Sequence, residues 1–226
     1  MATIEGELPM TLREQIAALQ AQAAKGRPPE VAAAFADSIA ALAASGIAER
    51  ALKVGERAPD FTLPNALGGP VTLSRLLEQA PAVVTFYRGE WCPYCNLQLR
   101  AYQAILPRIR DTGATLVAIS PQTPDQSLTT AEKKGLTFPV LSDAGNAVAR
   151  RYGLVFVLAE ALRPLYTRSG LDLPTFNGDA SWELPIPGTF IVAQDGTVRL
   201  AFVDADYTHR LEPEDLLAGL RAAAAA

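Results

Sequence analysis

The stretch AVVTFYRGEWCPYC, residues 82–95, decides the fold of this chain. Its first six residues, Ala82–Tyr87, form a β-branched and aromatic run of strand length that is apolar on both faces, which is typical of a central parallel strand. The run leads directly into two cysteines, and apolar residues at helical spacing then predict a helix over Asn96–Arg110 that Pro107 should kink. The stretch therefore predicts a buried strand, a dithiol and a helix in that order.

The two cysteines, Cys92 and Cys95, have the spacing of a redox dithiol. Disulfide exchange needs one thiol that is ionised near neutral pH and a second thiol close enough to attack the mixed disulfide. Pro93 suits the first position of a helix, so Cys92 is predicted to be the N-cap and Cys95 to lie within the first turn. Unpaired amides and the helix dipole should lower the pKa of Cys92 below the usual value of about 8.5, while Cys95 should be more buried and act second.

Two other interpretations of the cysteines are half of a metal site and a pair of inert core residues. A structural zinc ion needs about four ligands, usually Cys or His, whereas the chain has only these two cysteines and the distant His209. Inert cysteines would not explain a CxxC motif between a strand and a helix. We therefore expect a catalytic dithiol without a metal or a cofactor, and we interpret His209 as an ordinary surface residue.

The N-terminal part of the chain differs in composition and apolar spacing from the rest. Residues 11–24 and 30–45 are Ala-rich with apolar residues at helical spacing, which predicts two helices separated by Gly26 and two prolines. We interpret residues 1–53 as a helical extension that covers an exposed face of the main domain or pairs with a second subunit in a homodimer. Residues 54–226 then form the main domain.

Short apolar runs separated by turn residues fill the main domain, which favours alternating strands and helices. Asp195-Gly196 is a hairpin signal between two strands. The remaining predicted elements are strands at Thr115–Ile119 and Phe138–Leu141 and helices at Thr123–Lys134, Gly145–Tyr152, Ala159–Arg168 and Pro213–Ala222. The long segment 154–187 otherwise looks like a Pro-, Gly- and Asn-rich loop, and compact domains rarely keep such a loop without using it.

Composition excludes several classes of function. With 20 basic and 24 acidic residues, the surface should repel a phosphate backbone, so we expect no nucleic-acid partner. Residues 1–10 contain Glu5 and Glu7 and lack the basic start and apolar core of a secretory signal, and no run is long enough to span a membrane. We therefore expect a cytoplasmic protein, in a compartment where a purely structural disulfide would be reduced.

Three segments carry a resemblance to a known family. They are VGERAPDF at 54–61, FYRGEWCPYC at 86–95 and PGTFIV at 187–192. With these, residues 54–226 resemble the alkyl hydroperoxide reductase and thiol-specific antioxidant family, specifically bacterial peroxiredoxin-like proteins of the thioredoxin superfamily. The resemblance implies a thioredoxin-like α/β fold with a central mixed sheet flanked by helices. It also implies that Pro187 is a cis-proline that faces the dithiol.

The sequence departs from the family at its peroxide-binding residues. The family motif P-x-x-x-T-x-x-C falls on residues 88–95, where only Cys95 matches, because Arg88 replaces the proline and Cys92 replaces the threonine. The arginine usual before the Thr-Phe strand is replaced by Pro187-Gly188. Either Cys92 attacks first and Cys95 resolves, or Cys95 becomes the sulfenic acid and Cys92 condenses with it. Expected exposure and the helix dipole favour Cys92 as the first attacker.

Four residues near the dithiol are candidates for supporting roles. Arg88 and Arg100 could stabilise an anion, although exposed arginines are usually only solvated. Glu90 could shuttle a proton to the second thiol or simply carry surface charge, and Trp91 should pack beside the dithiol or in the core. In addition, the segment 154–187 is either a substrate or partner wall, or a packed surface loop or interface, with four residues singled out: Tyr166, Phe176, Asn177 and Trp182.

These observations predict a thiol-dependent peroxidase that reduces hydrogen peroxide or organic hydroperoxides through the CxxC dithiol and is regenerated by thioredoxin or glutathione. A general thiol-disulfide oxidoreductase is the first alternative, because the family's peroxide pocket is incomplete. The second alternative is a redox-sensing interaction module without turnover.

Overall fold

A mixed sheet with helices packed against both faces forms the centre of the molecule, in a computed structural model that describes residues 10–66 and 68–224. The strands are β1 (Thr62–Asn65), β2 (Gly68–Thr72), β3 (Ala82–Phe86), β4 (Thr115–Ser120), β5 (Val140–Ser142), β6 (Val155–Val157), β7 (Glu183–Pro185), β8 (Gly188–Val192) and β9 (Val198–Val203). The helices are α1 (Leu12–Ala24), α2 (Pro29–Ala44), α3 (Ile47–Arg50), α4 (Leu73–Leu77), α5 (Pro93–Ala104), α6 (Leu106–Asp111), α7 (Pro124–Lys134), α8 (Ala147–Arg151), α9 (Arg163–Arg168), α10 (Leu173–Asn177) and α11 (Pro213–Ala224).

The predicted central strand is confirmed. Seven strands are arranged in the order β2-β1-β5-β4-β3-β8-β9, and β6 and β7 form a separate two-stranded sheet. β3 is parallel to β4 and antiparallel to β8, so that Val84 lies between Val117 and Phe190. Every residue of β3 is buried, as expected for a strand that is apolar on both faces.

Alternate residues of β3 point into two different cores. Val84 and Phe86 pack in a core together with residues of α4 and α8, whereas Val83 packs in a second core with residues of α5, α6 and α11. The helix α5 buries Leu99 and Tyr102 in this second core. The sheet therefore fixes the position of α5 and of the dithiol at its start.

The predicted kink near Pro107 is confirmed as a break between two helices. α5 ends at Ala104, Ile105 leaves the helical region, and Pro107 lies in the first turn of α6, where its missing donor costs no hydrogen bond. The helix predicted over Gly145–Tyr152 begins only at Ala147, after a short 3₁₀ turn at Ala144–Asn146, because the left-handed backbone angles of Gly145 and Asn146 interrupt a right-handed helix.

The N-terminal helices pack on the rest of the chain. Thr11 and Glu14 form a capping box at the start of α1, and the backbone N–H groups of Leu12 and Arg13 donate to the Glu212 carboxylate at 3.2 and 2.7 Å. Leu12 and Ile16 are buried. The interpretation that these helices cover a face of the main domain agrees with these contacts, and pairing with a second subunit stays a prediction.

The segment 154–187 is structured rather than loop-like. It contains β6, α9, α10 and β7, together with a 3₁₀ turn at Glu160–Leu162. Its apolar side chains form a third core against Phe35 of α2 and against Trp91, with five buried members: Leu158, Leu162, Tyr166, Leu173 and Leu184. This packing holds the segment next to the start of α5.

The charge pattern of residues 1–9, on which the expectation of no secretory signal rests, lies outside the described residues. Within residues 10–66 and 68–224, none of the helices combines the length and the apolar character of a membrane span.

The contact between the end of α3 and the turn that follows α8 can be tested at Gly153. Its φ is +72°, and a Cβ there would lie 2.6 Å from the backbone oxygen of Arg50. We expect Gly153→Ala to lower the free energy of unfolding by about 2–4 kcal/mol, from left-handed strain plus the clash. Gly113→Ala is the matched control, because its φ is +79° and its Cβ would meet no atom within 4 Å. It should cost only about 1–2 kcal/mol in urea unfolding, and equal losses would contradict the packing.

Candidate active site

The dithiol lies at the junction of β3 and α5 as predicted. Cys92 is the N-cap of α5, Pro93 is in its first turn, and the backbone N–H of Asn96 donates to the Cys92 carbonyl at 3.1 Å. Both cysteines are free thiols. The expected difference in burial is wrong, because Cys92 and Cys95 both have 0% exposed surface.

Two guanidinium groups accompany the buried sulfurs. Nη2 of Arg210 donates to Sγ of Cys95 at 3.5 Å. Arg88 acts on Cys95 through its backbone N–H and through its charge. Arg88 and Arg210 are only 3% and 7% exposed, so their charges act on the sulfur with little screening by water.

These contacts determine which thiol ionises. Burial opposes ionisation of Cys95, but a hydrogen bond from the Cys92 thiol and the charges of Arg210 and Arg88 outweigh it and lower the pKa of Cys95 to about 5. Burial raises the pKa of Cys92 well above its usual value, and the Cys95 thiolate raises it further. The charges and hydrogen bonds of the site therefore favour ionisation of Cys95 over ionisation of Cys92.

The directions of these two pKa shifts are opposite to the expectation that Cys92 ionises first. That expectation assumed that a sulfur at the N-cap would accept hydrogen bonds from unpaired amides of the first turn. The Cys92 side chain accepts no capping hydrogen bond in α5. Without those donors, the cost of burying a charge on Cys92 is not offset.

Arg88 is held beside the dithiol by aromatic residues. Its Nη2 donates to the Tyr166 hydroxyl at 2.5 Å, and its guanidinium lies 4.8 Å from the ring centre of Trp91 and 4.1 Å from that of Tyr207. The structure thus brings Arg88 to the site, whereas Arg100 is exposed and donates to the Asn96 carbonyl.

Arg210 is the residue that the sequence analysis missed. It lies in the loop before α11, and its Nη1 donates to the backbone carbonyls of His209, at 2.7 Å, and of Tyr207. These carbonyls aim the guanidinium at Cys95. This chain lacks the arginine that the family has before β8, and Arg210 supplies a guanidinium group at the site. No local sequence motif marks Arg210 as a site residue.

The structure also places the other residues that the sequence analysis considered near the dithiol or as a possible ligand. Glu90 is mostly buried and forms an ion pair with Lys133 at 3.2 Å. Trp91 is partly buried and packs edge-on against Tyr166, with ring centres 5.6 Å apart. His209 is exposed and lies 2.7 Å from an Asp204 carboxylate oxygen, as expected for a surface residue.

The expectation of a cis-proline at Pro187 is wrong. The peptide bonds of the described residues include no cis bond. Pro187 is buried between β7 and β8, and the neighbouring Ile186 backbone N–H donates to the Leu154 carbonyl at 2.8 Å. A trans bond is the default for proline.

A pocket of about 610 Å³ lies next to the dithiol, with Cys92 among its lining residues. Helices α1 and α2 form one wall, and residues 165–171 of the segment 154–187 form another. Of the four residues singled out in that segment, Tyr166 lines the pocket, whereas Phe176, Asn177 and Trp182 do not belong to the lining. Cys95 lies behind the lining.

Comparisons with known proteins show the family and the fold to which the chain is similar. Residues 54–201 match the AhpC/TSA family. The chloroplastic peroxiredoxin Q of Sedum lineare is 28% identical over 160 residues, which is 71% of this chain and 71% of that protein. The crystal structure of peroxidoxin BcpB from Mycobacterium tuberculosis is similar with a TM-score of 0.59 and 25% identity, over 76% of this chain and 97% of that one. A bacterioferritin comigratory protein of Xanthomonas campestris shares the fold, with a TM-score of 0.55 and 20% identity over 73% and 92% of the two chains.

Replacing Arg210 tests the origin of the thiolate. In the wild type, the thiolate signal in ultraviolet absorbance should be present at neutral pH and disappear as the pH falls through about 5. In Arg210→Gln, the midpoint should move to higher pH, because a cation that favours the thiolate is gone. Arg110→Gln, an exposed arginine of α6, should leave the midpoint in place. Identical midpoints in the wild type and Arg210→Gln would contradict the assignment.

Proposed function

Since the chain belongs to the AhpC/TSA family, we propose that it reduces peroxides with Cys95 as the attacking thiolate and Cys92 as the thiol that closes the disulfide. The protein is a thiol-dependent peroxidase, an oxidoreductase, as the peroxiredoxins among its relatives indicate. The observation that carries the proposal is the hydrogen bond from Arg210 to Cys95 beside the buried charge of Arg88.

The first step is a displacement at oxygen. The Cys95 thiolate attacks the terminal oxygen of R–O–O–H, the O–O bond breaks, and Cys95 becomes a sulfenic acid. The leaving alkoxide takes up a proton and departs as R–OH. The two guanidinium groups of Arg88 and Arg210 stabilise the negative charge that moves from sulfur to oxygen.

In the second step, Cys92 attacks the sulfenic sulfur. The thiol of Cys92 loses its proton, the S–S bond forms, and the hydroxyl of the sulfenic acid leaves as water. The peroxide is thereby reduced by two electrons and the dithiol is oxidised to a disulfide. Cys92 stands at the family's threonine position, so its S–H would serve first as a hydrogen-bond donor to Cys95 and then as the resolving thiol.

Substrate reaches the sulfurs through a local opening. Both sulfurs have no exposed surface, and only Cys92 borders the pocket. A peroxide must therefore displace side chains of the pocket wall, whose aromatic residues include Trp91, Tyr94 and Tyr207. Such openings are typical of active-site surfaces.

The cycle closes when a thiol reductant cleaves the disulfide. We propose thioredoxin or glutathione in the cytoplasm, since both supply thiols that exchange with a CxxC disulfide. The exchange breaks the S–S bond, passes two electrons to the dithiol and leaves the reductant as a disulfide.

Variants of the two cysteines test the order of attack. Cys95→Ser should reduce peroxide consumption at least about a hundredfold, because the attacking thiolate is lost. Cys92→Ser should still react once, and a sulfenic acid probe should label Cys95, as mapped by mass spectrometry. Labelling of Cys92 in Cys95→Ser, with peroxide consumption retained, would reverse the order.

A coupled assay tests the reductant. When the thioredoxin or the glutathione system supplies electrons from NADPH, the wild type should consume peroxide and oxidise NADPH together. Cys92→Ser should lose this turnover, because no disulfide forms. Insulin reduction serves as the control reaction. Faster insulin reduction than peroxide turnover would favour a general thiol-disulfide oxidoreductase instead.

A further inference from the structure

One wall of the pocket over the dithiol is built from a part of the chain that lies outside the family match. Leu19 and Ala23 of α1 and Val31 and Phe35 of α2 line it, and all precede residue 54, where the match begins. The similarity to BcpB covers 97% of BcpB but only 76% of this chain, so part of this chain has no counterpart there. The helices that wall the pocket therefore add a feature to the shared fold.

The interior of the pocket suits an apolar group. Besides the helical residues named above, it is lined by Leu165 and Leu171 and by the rings of Trp91, Tyr94 and Tyr207. Its volume of about 610 Å³ lies within the range of pockets that bind small organic molecules. Hydrogen peroxide alone would use little of this apolar surface.

The charges of the pocket are all positive. Arg27, Arg88 and Arg168 line it, and its lining contains no acidic residue. Arg88 lies at the dithiol and is held by Tyr166, whereas Arg27 and Arg168 are exposed and so stand at the open end. Within residues 10–66 and 68–224, neither Arg27 nor Arg168 has an acidic partner, and Arg27 rests on the Phe35 ring at 4.9 Å. The chain as a whole carries a net charge of −4, so this concentration of cations is local.

We propose that the preferred substrate is an organic hydroperoxide with an apolar body and a carboxylate group. The body packs between α1, α2 and residues 165–171, the carboxylate pairs with Arg27 and Arg168 at the open end, and the hydroperoxyl group points toward the dithiol. The inference rests on the proposed function and adds the substrate class. The reaction is the displacement described above, in which the O–O bond breaks and a hydroxy acid leaves.

The test compares an acid with its methyl ester. The reduced full-length protein is assayed with a medium-chain hydroperoxy carboxylic acid, with the methyl ester of that acid, and with hydrogen peroxide. We expect kcat/KM for the acid to exceed that for the ester by about tenfold or more, as for charge-assisted pairing. In the double variant Arg27→Gln/Arg168→Gln, the ratio should fall to about one, whereas Arg110→Gln should keep the wild-type ratio.

A binding measurement separates this inference from the proposed function. Calorimetry with decanoate and methyl decanoate on the reduced protein should show tighter binding of the acid, and the double variant should lose that difference. If the protein turns over hydrogen peroxide but has equal kcat/KM for the acid and its ester, the inference about the substrate is overturned. The proposed function as a peroxidase is then unaffected. If the protein consumes no peroxide but still binds decanoate more tightly than its ester, the proposed peroxidase function is overturned, and the substrate inference that rests on it fails too.

Discussion

The arrangement of this site depends on one constraint, that two buried guanidinium groups must meet compensating negative charge. A buried cation is costly unless it is paired and hydrogen-bonded. Arg210 meets the Cys95 sulfur at 3.5 Å, while Arg88 adds its charge to that sulfur and gives its side-chain hydrogen bond to Tyr166. The thiolate is thus part of what makes the buried arginines tolerable, and the arginines are what make the thiolate stable.

Three distant parts of the chain have to converge for this pairing. The loop between β3 and α5 and the first turn of α5 supply Arg88 and both cysteines, the segment 154–187 supplies Tyr166, and the loop before α11 supplies Arg210. The central sheet fixes the first of these, and the carbonyls of Tyr207 and His209 fix the last. Since α1 and α2 close the pocket over the same point, the N-terminal helices share in shaping access to the sulfurs.

Local features could be predicted from the sequence, whereas features that depend on tertiary contacts could not. The buried strand Ala82–Tyr87, the N-cap position of Cys92 and the break near Pro107 follow from patterns within a few residues. Arg210 lies 115 residues from Cys95, so no spacing rule connects them. The expected pKa shift of Cys92 rested on the helix start alone, whereas the charges that shift the pKa of both thiols come partly from elsewhere in the chain. The position of a thiol at a helix start is therefore not enough to predict the direction of its pKa shift.

The same electrostatics bear on the oxidised enzyme. An i, i+3 pair at the start of a helix brings two Cα atoms to a separation that a disulfide accepts, so the proposed disulfide between Cys92 and Cys95 needs no rearrangement of β3 or the sheet. Oxidation removes the thiolate, yet Arg88 and Arg210 stay buried and are then uncompensated. This loss raises the free energy of the disulfide form relative to the dithiol, as in dithiols whose reduced form is stabilised. In the proposed cycle, the buried arginines therefore favour both the attack on peroxide and the return to the reduced state.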